Sequence, residues 1–120
     1  MNTTVNLDAL EKILLRLAIN RETMTYRELA LQLKLKPPNT INQTVQALEI
    51  LMATHAAKNI PQFSCLIISK MRQGIPAPGF FIRLKQLGIY SGEETGFEAE
   101  NFHNSEKIKC YEYANNYYRY

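Results

Sequence analysis

The stretch Thr25–Met52, TYRELALQLKLKPPNTINQTVQALEILM, decides how the chain is read. Thr25 with Glu28 three residues on forms a capping box, in which hydroxyl and carboxylate each satisfy an otherwise orphaned backbone N–H. A helix therefore starts there, with Leu29, Leu33 and the Tyr26 ring on one face and Arg27, Gln32 and Lys34 on the other. Pro37 and Pro38 disfavour helical geometry before them and remove two N–H donors, so this helix is expected to stop by about Lys36. Asn39 is a good N-cap for a second helix. Its apolar positions are Ile41, Val45, Leu48, Leu51 and Met52, and Asn42, Gln43 and Gln46 face the opposite way. Two helices and a five-residue turn read as a helix-turn-helix whose exposed face is rich in amides and nearly uncharged.

Outward from this motif, Asn6–Asn20 is expected to be a helix capped by Asn6, with Leu7, Leu10, Leu14, Leu17 and Ala18 along one stripe. Leu35 in the turn is expected to plug the core formed by the three helices. The second motif helix is expected to run on to about His55, read as a partly exposed histidine at the helix end, before Asn59 and Pro61 stop it. Phe63–Ser69 is the best strand candidate, followed by a basic loop from Lys70 to Gly74. In Ile75–Phe81, IPAPGFF, two prolines and a glycine exclude a central strand, and a helix is expected to begin near Pro78 or Gly79 and end at Gly88. Phe80, Phe81, Leu84 and Leu87 are its expected core residues. Thr95 with Glu98 is another possible capping box, opening a last helix from about Phe97 to Asn115 that buries Ala99, Phe102, Cys110 and Tyr113 or a neighbouring set. Residues 1–90 are thus read as a winged-helix domain, and residues 91–120 as an acidic, tyrosine-rich helix packed on it or trailing from it. The expected fold is mainly α with a small β element.

Length and composition agree with one globular domain: 120 residues, 46% hydrophobic and 21% charged. Asp8, Glu11, Lys12 and Arg16 interrupt the apolar run that a signal peptide requires, and no stretch is apolar enough to span a bilayer. Two cysteines, Cys65 and Cys110, are no disulfide framework, and cytoplasmic residence is expected. Residues 1–90 carry eleven Lys/Arg against five Asp/Glu, a charge of +6; residues 91–120 carry three against six, a charge of −3. A basic body favours an anionic partner, and the acidic tail competes for the same surface.

TYRELA at 25–30, TVQAL at Thr44–Leu48 and the Pro61–Gly74 segment resemble the DNA-binding half of the O6-alkylguanine-DNA alkyltransferases and alkyltransferase-like proteins, over about residues 25–88. The resemblance implies a winged helix. It also implies a reactive cysteine followed by histidine and arginine, and an arginine finger late in the second motif helix. Cys65 falls near the cysteine position, but Leu66 and Ile67 follow it, and Glu49 or Ile50 stands where the arginine belongs. A cysteine in an apolar run with no basic partner is a poor nucleophile, so the fold is carried over and the chemistry is not. The IPAPGFF block also looks like one in small uncharacterised bacterial proteins, which implies no activity.

No other constellation is complete. The carboxylates at Glu93, Glu94, Glu98 and Glu100 lie in a solvated stretch, and His103 between Glu100 and Glu106 reads as a surface ion-pair cluster. No catalytic residue, cofactor site or metal site is expected. The expected partner is double-stranded DNA. Asn39, Asn42, Gln43 and Gln46 are the candidate base contacts, and Lys34, Lys36, Lys70 and Arg72 the candidate phosphate contacts. The alternative is a protein-interaction adaptor with exposed Phe80, Phe81 or terminal tyrosines.

Overall fold

The computed structural model describes residues 3–118. Its elements in chain order are α1 (Leu7–Asn20), β1 (Met24–Thr25), α2 (Tyr26–Gln32), α3 (Thr40–Ala57), β2 (Ile67–Ile68), α4 (Pro78–Gln86) and α5 (Gly96–Tyr118), with 3-10 turns at Phe63–Leu66 and Lys70–Arg72. The protein is mainly helical with a small β element. None of the described helices is long and apolar enough to cross a membrane.

Local signals place the helix starts. Asn6 Oδ1 accepts from the Ala9 N–H at 3.0 Å, and Thr25 with Glu28 makes the full reciprocal capping box. Four helices end in the same way, with a left-handed residue at Arg21, Lys34, Asn59 and Gly88. The next N–H reaches back to a carbonyl in the last turn, as in Glu22 to Leu17, Leu35 to Ala30, Ile60 to His55 and Ile89 to Leu84. These paired bonds satisfy carbonyls that a helix terminus otherwise leaves orphaned. They also set the end of α2, which closes at Gln32 through Lys34, within the expected limit of about Lys36 and before the prolines. Leu35 then packs against the core as expected.

Phe63–Ser69 is a correction. It begins as a 3-10 turn closed by Cys65 N–H to Gln62 O at 2.9 Å, and only Ile67–Ile68 is strand. Those two residues pair in parallel with β1, in the register Met24 to Ile67 and Thr25 to Ile68. Every residue from Gln62 to Ile67 is buried, and a run buried on all sides shows no alternation that could separate a strand from a tight turn. β1, two residues long, extends no further alongside it, so local i to i+3 bonds close the rest. The Ser69 N–H donates to the Ile75 carbonyl at 2.9 Å and closes the basic Lys70–Gly74 segment into a loop.

The core joins Leu10, Leu14 and Leu17 of α1, Leu29 of α2, Leu48, Leu51 and Met52 of α3, Leu66 and Ile67, and Phe81 and Leu84 of α4. Phe80 and Phe81 are buried with their rings edge to face, 5.2 Å between centroids. α5 packs on α1 and on the Phe63–Leu66 turn. Its buried stripe is Ala99, His103, Glu106, Cys110 and Ala114, while Phe102 and Tyr113 are half-buried. His103 and Glu106 are therefore buried groups and not a surface ion-pair cluster. His103 Nε2 is 2.9 Å from the Cys65 carbonyl, and Glu106 Oε2 accepts from the Gln62 N–H at 2.8 Å. His55 is corrected in the same sense: at 1% exposure it lies edge-on to Phe63, with Nε2 3.8 Å from the Glu11 carboxylate.

Burial lowers the pKa of His103 from its ordinary 6.5 to about 4, and lowers that of His55 as well. A histidine held neutral in the folded state and free to protonate when unfolded contributes stability in full above about pH 6.5. That contribution is lost as the pH falls toward about 4. For His103 the loss amounts to at most about 3 kcal/mol. Urea midpoints measured from pH 7 to 4.5 should fall, and His103→Gln should flatten the fall; an unchanged slope in that variant would contradict the assignment.

Candidate nucleic-acid interface

The turn between α2 and α3 is held from inside by Gln43. Its Nε2 donates to the Lys36 carbonyl at 3.1 Å and to the Pro38 carbonyl at 2.8 Å, spending both amide hydrogens across a cis Pro37–Pro38 peptide. Asn39 occupies the N-cap position, but in the left-handed conformation and with no side-chain capping bond. Its backbone carbonyl accepts the Gln43 N–H as the first bond of the helix, and the side chain that braces this helix start is that of Gln43, not Asn39.

α3 buries Thr44, Ala47, Leu48, Leu51, Met52 and His55. The expected apolar stripe is thus rotated: Ile41 is 44% exposed and Val45 half-buried. Thr44 takes the core position because its hydroxyl donates to the Thr40 carbonyl at 2.9 Å, which removes the cost of burying it. The outward face carries Asn42 and Gln46, both exposed and with side chains that make no hydrogen bond to other described residues, beside Ile41, Val45 and half-buried Glu49. Lys34 and Lys36 project from the turn at the start of this helix, both exposed.

The second basic group sits on the Lys70–Gly74 loop. Tyr26 at the start of α2 ties this loop region down, since its hydroxyl accepts the Ala77 N–H at 3.0 Å; burial pushes the phenol up to about 12. Lys70 is exposed near the capping box, where Thr25 holds the Glu28 carboxyl below its usual range and Lys70 adds a smaller electrostatic pull. Arg72 differs from the lysines. It is half-buried, and Nη2 donates to the backbone carbonyl of Glu94, whose carboxylate ion-pairs with Lys85. The acidic segment before α5 therefore lies against the basic loop.

The structure thus brings Asn39, Asn42 and Gln46 together with Lys34 and Lys36 on and beside the start of α3. Gln43 is turned into the turn, and Arg72 is engaged by Glu94. Sequence reasoning missed Gln43's inward role, although a Gln four residues after an N-cap Asn and five after a Pro-Pro pair has the reach to meet those carbonyls.

The cysteines also meet where sequence separation hid it. Cys65 and Cys110 are both fully buried with sulfurs 3.8 Å apart, and burial raises the Cys65 thiol well above its ordinary value. Among the described residues no three His, Cys, Asp or Glu side chains converge as metal ligands do. Compared with family models, curated proteins and solved structures, the chain matches none.

Both thiols should resist a thiol reagent in the native protein and react together on unfolding. Fast native labelling that Cys65→Ser abolishes would contradict this. Gln43→Ala, which frees two turn carbonyls, should cost about 1 kcal/mol in chemical denaturation.

Proposed function

We propose that the protein is a non-enzymatic, winged-helix type DNA-binding protein that lays α3 in the major groove of a duplex and sets the Lys70–Gly74 loop on the flanking backbone. The observation that carries this reading is the outward face of α3: free amides at Asn42 and Gln46, flanked by exposed Lys34 and Lys36, on a helix whose start is fixed by internal bonds. A carboxamide pairs bidentately with adenine N6 and N7, donating one hydrogen and accepting another. Asn42 and Gln46 have both functions free. Gln43 has only its carbonyl oxygen, because its hydrogens hold the turn, so in this reading it is a positioning residue. Asn39 stands at the entry of the helix, within the first turn that such motifs aim at base edges.

Phosphates are contacted by Lys34, Lys36, Lys70 and Arg72, the last after exchanging the Glu94 carbonyl for a phosphate oxygen. That exchange makes the acidic segment a competitor for the basic loop. The resemblance to the DNA-binding half of the alkyltransferases points the same way as to fold. No alkyl transfer is proposed: Cys65 is fully buried with its sulfur against that of Cys110, and burial raises its thiol well above the ordinary value. An adaptor role draws its support from Leu31, 69% exposed at the end of α2, and Ile41. Of the aromatic anchors it was expected to use it loses Phe80 and Phe81, which lie in the core, and keeps the terminal Tyr117, 64% exposed.

Four phosphate contacts imply a log–log salt slope of about −3.6, and each Lys→Ala change should make it shallower by about 0.9 on any duplex. Gln46→Ala should instead cost roughly 1–3 kcal/mol on a preferred site and little on random sequence. Fluorescent duplex titrations at several salt concentrations read both. Absence of binding at low salt, or binding indifferent to loss of Lys34 and Lys36 together, excludes the DNA reading.

A further inference from the structure

A polar cleft of about 170 Å³ lies between the basic loop and α5, lined by Arg72, Gln73 and Ile75 on one side and by Glu100, His103, Asn104 and Lys107 on the other. We propose that it is a phosphate-binding site. Two cations face it with their capacity unspent. Arg72 spends only Nη2, on the Glu94 carbonyl, and its Nη1 meets no acceptor among the described residues. Lys107, half-buried, makes no ion pair with any described residue. Asn104 adds a free carboxamide.

The unspent guanidinium hydrogens of Arg72 find acceptors in an anion held in the cleft, and the anion's charge makes those hydrogen bonds the stronger kind. The donors come from two walls, Arg72 from the loop and Asn104 and Lys107 from the helix. A planar carboxylate offers acceptors along one edge, whereas a tetrahedral oxyanion offers oxygens to both walls at once, and the pairing of an arginine fork with a lysine point charge suits it. His103 is neutral and committed to the Cys65 carbonyl through Nε2, so it shapes the wall without adding charge. Glu100 is the opposing carboxylate, and with it the cleft keeps a net charge of +1 from Arg72 and Lys107. The phosphate has two possible sources: the backbone of the duplex proposed above, which would then be gripped by α5 as well as by the loop, or a free phosphate monoester.

Inorganic phosphate titrated into the 15N-labelled full chain, against chloride at equal ionic strength, should shift the amides of residues 72–75 and 104–107. Lys107→Gln, which breaks no contact that holds the fold, should weaken the response about tenfold, and Glu100→Gln should strengthen it. Circular dichroism establishes that both variants are folded. A duplex titration of the same Lys107→Gln protein assigns the source: weaker binding with a shallower salt slope points to the backbone, and unchanged binding to a free phosphate, either outcome resting on the phosphate response. Failure to bind duplex at all removes the DNA reading and leaves the cleft standing. No amide response to phosphate, or one that survives in Lys107→Gln, overturns the site.

Discussion

The structure depends on satisfying the backbone of Gln62–Leu66 where it passes through the core. Irregular backbone buried on all sides has no ladder to supply hydrogen-bond partners, and each unpaired group there costs about 1–3 kcal/mol. α5 supplies them. Glu106 takes the Gln62 N–H and His103 meets the Cys65 carbonyl, while the Gln62 side chain donates to the Met52 carbonyl of α3 at 3.0 Å. Two polar residues on the long helix thus do for this segment what a neighbouring strand does in a sheet. For that reason α5 is part of the domain and not an appendage, although its sequence is acidic and polar.

The same constraint orients the candidate interface. Once the turn at Phe63–Leu66 is held, Ile67–Ile68 lies beside Met24–Thr25, and the loop that follows returns over α2 to meet the Tyr26 hydroxyl at Ala77. The two basic groups are thereby fixed at opposite ends of one short helix: Lys70 near its start, Lys34 and Lys36 after its end. Gln43 completes the arrangement by locking the turn into α3. Preorganisation of this kind removes ordering costs from the proposed binding, since the backbone that carries the candidate contact residues is already held by bonds behind it.

Local features were legible in the sequence and non-local ones were not. The capping box at Thr25 and Glu28, the Asn6 cap, the Pro78 start of α4 and the Gly88 stop each depend on a few adjacent residues, and all four stand in the structure. Phe63–Ser69 misled because an unbroken buried run carries no period, and its turn is decided by α5, more than thirty residues away. His103 and Glu106 misled because ionisable residues are normally on surfaces. Admitted as buried, they complete a regular helical stripe with Ala99, Cys110 and Ala114. In the candidate site, the amide-rich face of α3 was legible from its spacing. The inward turn of Gln43 and the contact of Arg72 with Glu94 were not, since both depend on where the chain returns.

The central claim is that α3 presents Asn42 and Gln46 to a partner while Gln43 stays behind to hold the turn. The side-chain amides of all three residues can be followed in one 15N-labelled sample as a duplex carrying an adenine-rich site is added at low salt. The account predicts that the Asn42 and Gln46 side-chain resonances shift to saturation while those of Gln43 hold their positions. Shifts confined to surfaces away from α3, or movement of Gln43 without Asn42 and Gln46, would contradict it.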